Sequence, residues 1–82
     1  MLQDAQSIRY YQRITDAIVD FRHQGYPFDE LKMFFDGYIA CLRHSSVLEA
    51  HLINRLEEEV FRFLQDPSNF AIPLPEPETG YY

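Results

Sequence analysis

The sequence predicts an all-α fold, a three-helix bundle followed by an extended, Pro-rich C-terminal tail. Three observations carry this prediction. In three segments apolar residues recur at steps of three and four, the spacing of one helical face. Each segment closes on residues that interrupt a helix: Gly25 and Pro27 after the first, Ser45 and Ser46 after the second, Asp66 and Pro67 after the third. Four of the five prolines, Pro67, Pro73, Pro75 and Pro77, crowd behind the last segment, where their missing backbone donors and fixed φ forbid a helix.

The first helix is expected over about residues 4–24, with Ile8, Tyr11, Ile14, Ile18 and Phe21 on its inner face, which Tyr10 and Ala17 widen. Arg22 and His23 in the last turn complement the helix dipole, Gly25 can take a left-handed capping conformation, and Pro27 stops further winding. The second helix is expected over about 28–44, with Asp29 and Glu30 in its first turn and Leu31, Phe34, Phe35, Tyr38 and Leu42 turned inward. Gly37 interrupts it at a cost of about 1 kcal/mol relative to alanine, so a close neighbouring helix or a kink is expected there.

A third helix is expected over about 47–65. Ser46-Val47-Leu48-Glu49 has the form of a capping box, in which the serine hydroxyl and the Glu49 side chain satisfy each other's backbone amides. Leu48, Leu52, Ile53, Leu56, Val60, Phe63 and Leu64 point inward, and Arg55 with Glu59 and Glu58 with Arg62 are spaced for ion pairs on the wet side. Short connections make consecutive helices antiparallel neighbours. The chain therefore divides into a helical bundle domain, 1–66, and a tail, 67–82. In the tail Phe70, Ile72 and Leu74 alternate as on a strand that lies against its own bundle, whereas 75–82, with Tyr81 and Tyr82, is expected to face outward.

Composition narrows the function. With 82 residues the core is thin, since a chain near this size buries only about 60% of its unfolded surface. Yet 46% of the residues are hydrophobic, with seven Phe and six Tyr, so part of that surface is expected to be covered by a partner, with a second copy (a homodimer) as the default. The formal charge of -6, with Lys32 the only lysine, disfavours nucleic acid, whose phosphates demand clustered cations. The N-terminus has no signal-peptide pattern and no apolar run has the length of a membrane span, which points to a cytoplasmic protein that is not membrane-integral.

No catalytic constellation stands out, so no enzyme and no cofactor are expected. Cys41, His44 and His51 are the candidates for a metal or redox site, but a structural zinc site wants four ligands at recognisable spacing. Cys41, beside Ile39, Ala40 and Leu42, reads more simply as a small core residue, and Ser46 as a cap. Candidate protein-binding residues are aromatic. Phe61 shares its helical arc with Asn54, Glu58 and Gln65, a polar side where a ring has no core to enter; Tyr10, Phe28 and Phe35 stand at the edges of the inner stripes; Phe70, Tyr81 and Tyr82 belong to the tail.

The stretches Arg9-Tyr10-Tyr11-Gln12-Arg13-Ile14, Asp36-Gly37-Tyr38-Ile39-Ala40-Cys41-Leu42-Arg43-His44, Leu56-Glu57-Glu58-Glu59-Val60 and Pro75-Glu76-Pro77-Glu78-Thr79-Gly80-Tyr81-Tyr82 together resemble a family of small uncharacterised helical proteins of cyanobacteria. The resemblance spans the whole chain and brings no activity, cofactor or site residue with it. It implies a cytoplasmic protein of a photosynthetic cell, in which an accessory or assembly role beside a photosynthetic complex is one reading. Residue chemistry and resemblance together lead to the expectation of a non-catalytic interaction or regulatory protein, with a metal-binding or redox-sensing helical protein as the alternative.

Overall fold

The structure, a computed structural model, describes residues 2–71. Helix α1 spans Ala5–His23, α2 spans Phe28–Ser45 and α3 spans Ala50–Leu64, followed by a 3-10 turn at Pro67–Phe70. The three helices pack pairwise, and the turn packs on α1 and α3. No strand occurs among the described residues. The all-α three-helix prediction is thereby met.

Asp4 opens α1. Its carboxylate accepts from the Ser7 backbone N–H at 2.9 Å and from the Ser7 hydroxyl at 3.2 Å, satisfying one of the four orphan amides of the first turn. The far end of α1 is a complete Schellman motif. Gly25 has φ 102; its N–H donates to the Arg22 carbonyl at 3.0 Å, and the Tyr26 N–H donates to the Phe21 carbonyl at 3.1 Å. The hydrophobic contact that accompanies this motif is the Phe21–Tyr26 ring pair, 5.3 Å between centroids. Arg22 tightens the same turn, donating to the Tyr26 carbonyl at 2.9 Å while its guanidinium lies 5.0 Å from the Phe28 ring centroid.

The second connection departs from the expected capping box. Ser46 caps the C-terminus of α2 in the left-handed region, φ 55 and ψ 31, so it cannot present its hydroxyl to a following helix. Helix α3 starts at Ala50, three residues later than expected, with Glu49 at its N-cap and no side-chain cap bond. The intervening Leu48 is buried with the core, which explains why the chain spends residues 47–49 turning instead of winding. On the solvent side of α3, Arg62 reaches Glu59 at 3.1 Å, not the Glu58 expected from i,i+4 spacing.

The core is one cluster: Ile14 and Ile18 of α1, Leu31, Phe35, Ile39 and Leu42 of α2, Leu48, and Ile53, Leu56 and Val60 of α3. Each such side chain contributes about 1.5–3 kcal/mol by leaving water. Ile8, expected inside, is exposed, because the N-terminal turn of α1 carries Ser7 inward instead. Ser7 and Thr15 are buried polar residues that keep their hydroxyls bonded locally; Thr15 donates to the Tyr11 carbonyl at 2.8 Å. Between α2 and α3, Arg43 donates to Glu57 at 2.6 Å and to Asn54 at 3.0 Å, a half-exposed clamp worth at most about 1 kcal/mol.

The start of the tail is a turn, not a ribbon. Asp66 accepts from the Ser68 N–H at 3.0 Å and from its hydroxyl at 2.7 Å, which with Pro67 in the first position winds 67–70 into a 3-10 turn. Phe70 then lodges between Phe28 and Phe63, with centroids 5.4 and 5.6 Å away. Ile72, Leu74, Tyr81 and Tyr82 lie outside the described residues.

Candidate functional site

Two rows of aromatic rings flank α1. One runs Tyr26, Phe21, Phe34, Tyr38, Tyr10 along the seam with α2, with successive centroids 5.3, 5.2, 5.8 and 6.4 Å apart. The other runs Phe28, Phe70, Phe63, Tyr11. All of these pairs but the tilted Phe21–Tyr26 are edge-to-face, and such pairs add about 0.5–1.5 kcal/mol each beyond area burial. The second row is closed over by the 3-10 turn, and the first borders an open groove.

That groove, about 560 Å³, is lined by Tyr10, Phe34, Tyr38 and Val47 around Gly37, Cys41 and Ser45, with Leu42 at its base. Its shape follows from residue size. Gly37, Cys41 and Ser45 stand four apart on α2, so three small side chains fall in line where the flanking rings are tall. Beside them Met33, Ala40 and His44 continue the exposed face of α2, and Met33 is 72% exposed. Among the described residues no acidic side chain, lysine or arginine lines the groove. The nearest charges on α2 are already paired, Asp36 with Lys32 at 3.0 Å and Arg43 with Glu57.

Helix α2 runs through Gly37 unbroken, and a Cβ placed there meets nothing within 4 Å. The neighbouring helix expected at Gly37 is therefore not supplied by the described residues. Cys41 lies in the groove and not in the core: the buried stripe of α2 passes through Phe35, Ile39 and Leu42, and Cys41 falls one residue off it. Phe35, placed on the inward stripe of α2 and also offered as a protein-binding ring at its edge, is 1% exposed: it is a core residue with no free surface, and the binding assignment is corrected.

The other predicted positions separate. Phe61 is 44% exposed on the solvent side of α3. Tyr10 is half-buried at the groove's rim, edge-on to Tyr38. Phe28 is 43% exposed yet engaged by Arg22 and Phe70, and Phe70 is docked on the bundle. Gly37 was singled out as a point of close approach, whereas Val47 of the groove and the adjoining exposed Met33 escaped the sequence reading; the signal was a second stripe on α2, uncharged and spaced by three and four.

The metal candidates are not assembled. Cys41 lines the α2 groove, whereas His51 lines a separate cavity of about 230 Å³ with Leu2, Asp4, Ser7 and Arg55, its Nδ1 3.6 Å from Glu49. Among the described residues no three His, Cys, Asp or Glu side chains gather as a metal would need. Ser7 in that cavity has its hydroxyl committed to the Asp4 cap. Burial, reinforced by the negative charge of Glu59, holds the Tyr11 hydroxyl above the usual tyrosine range. Among the described residues no helix is long and apolar enough to cross a membrane.

A family model described as "Family of unknown function (DUF6761)" matches residues 1–82. No curated protein and no solved structure matches the chain.

Proposed function

We propose, from the premise that the chain belongs to this family of unknown function, that it is a non-catalytic protein-interaction or accessory protein. The observation that supports this reading is the groove on α2: apolar, open, uncharged and centred on small residues in an otherwise acidic chain. Interfaces concentrate aromatic side chains and deplete charge at their centres. Phe61, exposed on the solvent side of α3, offers a second anchor. The segment 75–82, with Tyr81 and Tyr82, is a third contact that we propose on its sequence alone. The resemblance to cyanobacterial proteins makes a photosynthetic cell, and its assembly or accessory machinery, the setting in which a partner is sought first.

The test uses the full chain as bait in native extract, beside Val47→Glu in the groove, Phe61→Glu on α3, and a chain ending at Leu74. Loss of the same captured partner from at least one variant is the expected result. Capture that is identical for all four proteins would remove the reading.

A further inference from the structure

We infer that the occupant of the α2 groove is the α2 helix of a second copy, packed antiparallel about a two-fold axis that passes beside Gly37. This inference rests on reading that face as a docking surface and names what docks there.

The first support is shape. Where two helices meet through small residues their backbones approach closely, and Gly37, Ala40 and Cys41 give α2 such a centre with Phe34, Tyr38 and Val47 standing around it. Among the described residues the space above Gly37 is open, so an incoming helix displaces none of them.

The second support is charge. Helix α2 carries Asp29 and Glu30 in its first turn and Arg43 and His44 in its last. Glu30 and His44 each stand seven residues from Gly37, on opposite sides. An antiparallel pairing centred there sets Glu30 of one copy against His44 of the other, twice, and opposes the two helix dipoles favourably. The same symmetry sets Met33 against Cys41, each four residues from the centre, so a long flexible side chain enters the groove beside a short one. A parallel pairing would instead set acid against acid in two chains that each bear a charge of -6. The antiparallel contact is isologous and closes on itself, which stops at a dimer.

The test is mass in solution by sedimentation equilibrium on the full chain, with Ala40→Arg and Met33→Asp as exposed substitutions that leave the core untouched. A wild-type dimer at micromolar concentration, shifted at least tenfold towards monomer by either variant with the helical circular dichroism unchanged, is expected. Register is read by cross-linking. In a Cys41→Ser background, Gly37→Cys should form a disulfide dimer on mild oxidation, the covalent bond trapping the pair although the added side chain weakens reversible association. The native Cys41 should not, because an axis at Gly37 holds the two thiols about 12 Å apart along the helices, beyond the roughly 7 Å that a disulfide tolerates between Cα atoms. A monomer at every concentration, a dimer indifferent to Ala40→Arg, or efficient cross-linking through Cys41 with none through Gly37→Cys would each overturn the inference. If the chain is monomeric while Val47→Glu still abolishes capture of a partner, the second copy is excluded and the docking face stands. If neither mass nor capture responds, both fall.

Discussion

Phe70 meets Phe28 edge to face, with ring centroids 5.4 Å apart, and so ties the chain beyond α3 to the first residue of α2. Phe28 is in turn under the Arg22 guanidinium, and Phe70 also touches Phe63. One ring therefore connects the exit of α3 with the turn between α1 and α2, two places far apart in sequence. In a thin three-helix core such a contact at the periphery is a sizeable share of total stability.

Phe70→Ala should therefore destabilise the protein by about 2 kcal/mol, below the 3–5 kcal/mol typical of a fully buried ring because Phe70 keeps part of its surface in water. For a chain of this size that is a fall of roughly 8–16 °C in melting temperature. A thermal melt followed by circular dichroism measures it. A chain ending at Asp66 should melt with a similar deficit if Phe70 carries the contribution of the turn, and much lower if Pro67 or Asn69 also holds the bundle.

Ser46 separates two accounts of the α2–α3 connection. As a helix cap for α3 it would lose about 1 kcal/mol on replacement by alanine and little by glycine. In the left-handed conformation it occupies, φ 55, a residue with a Cβ is strained by about 1–2 kcal/mol, and glycine is not. Part of that gain is returned because glycine frees the unfolded chain. Ser46→Gly is thus expected to raise stability by roughly 0.5–1 kcal/mol, visible as a higher urea midpoint at unchanged slope.

How far the fold was legible depends on which level of structure decided each position. The end of α1 was readable because a glycine, a proline and two basic residues all act locally and agree. The start of α3 was not, because burial of Leu48 overrode a sound local capping pattern. The phase of α2 slipped for a related reason. Phe34, Phe35 and Tyr38, all turned inward by their spacing, form a face too broad to show which ring is central, and only the packed core shows Phe35 and Ile39 fully inside and Cys41 outside. Phe61 was found because a lone ring on a polar arc is an anomaly in one helix. Gly37 hinted at a close approach, but the groove as a whole was missed because Cys41 and Ser45 carry no such signal until the packed helices show that, among the described residues, nothing fills the space above them.

Tyr11 gives the stability an alkaline edge. Burial first, and then Glu59, raise its pKa in the folded state above the ordinary value near 10. Below about pH 10 the hydroxyl is neutral in both states and the stabilisation is complete; above it the unfolded chain ionises first and binds fewer protons, so stability falls as pH rises towards the folded pKa. Urea midpoints between pH 8 and 11 should show this decline, and Tyr11→Phe should flatten it while leaving the midpoint at pH 8 nearly unchanged. An equal slope in the variant would assign the alkaline loss to other tyrosines.

Gly37→Ala should push folding and association in opposite directions. Alanine in a helix interior is favoured over glycine by about 1 kcal/mol, and the open space at Gly37 lets the added methyl enter without a clash, so the dilute monomer should gain roughly that amount. The same methyl stands at the proposed two-fold axis, where it meets its symmetry mate and forces the helices apart, so the dimer should weaken. Denaturation in dilute solution and sedimentation at high concentration read the two effects separately. A glycine kept only as a tolerated helix residue would show the gain in stability with no change in mass, whereas a glycine kept for close approach shows both.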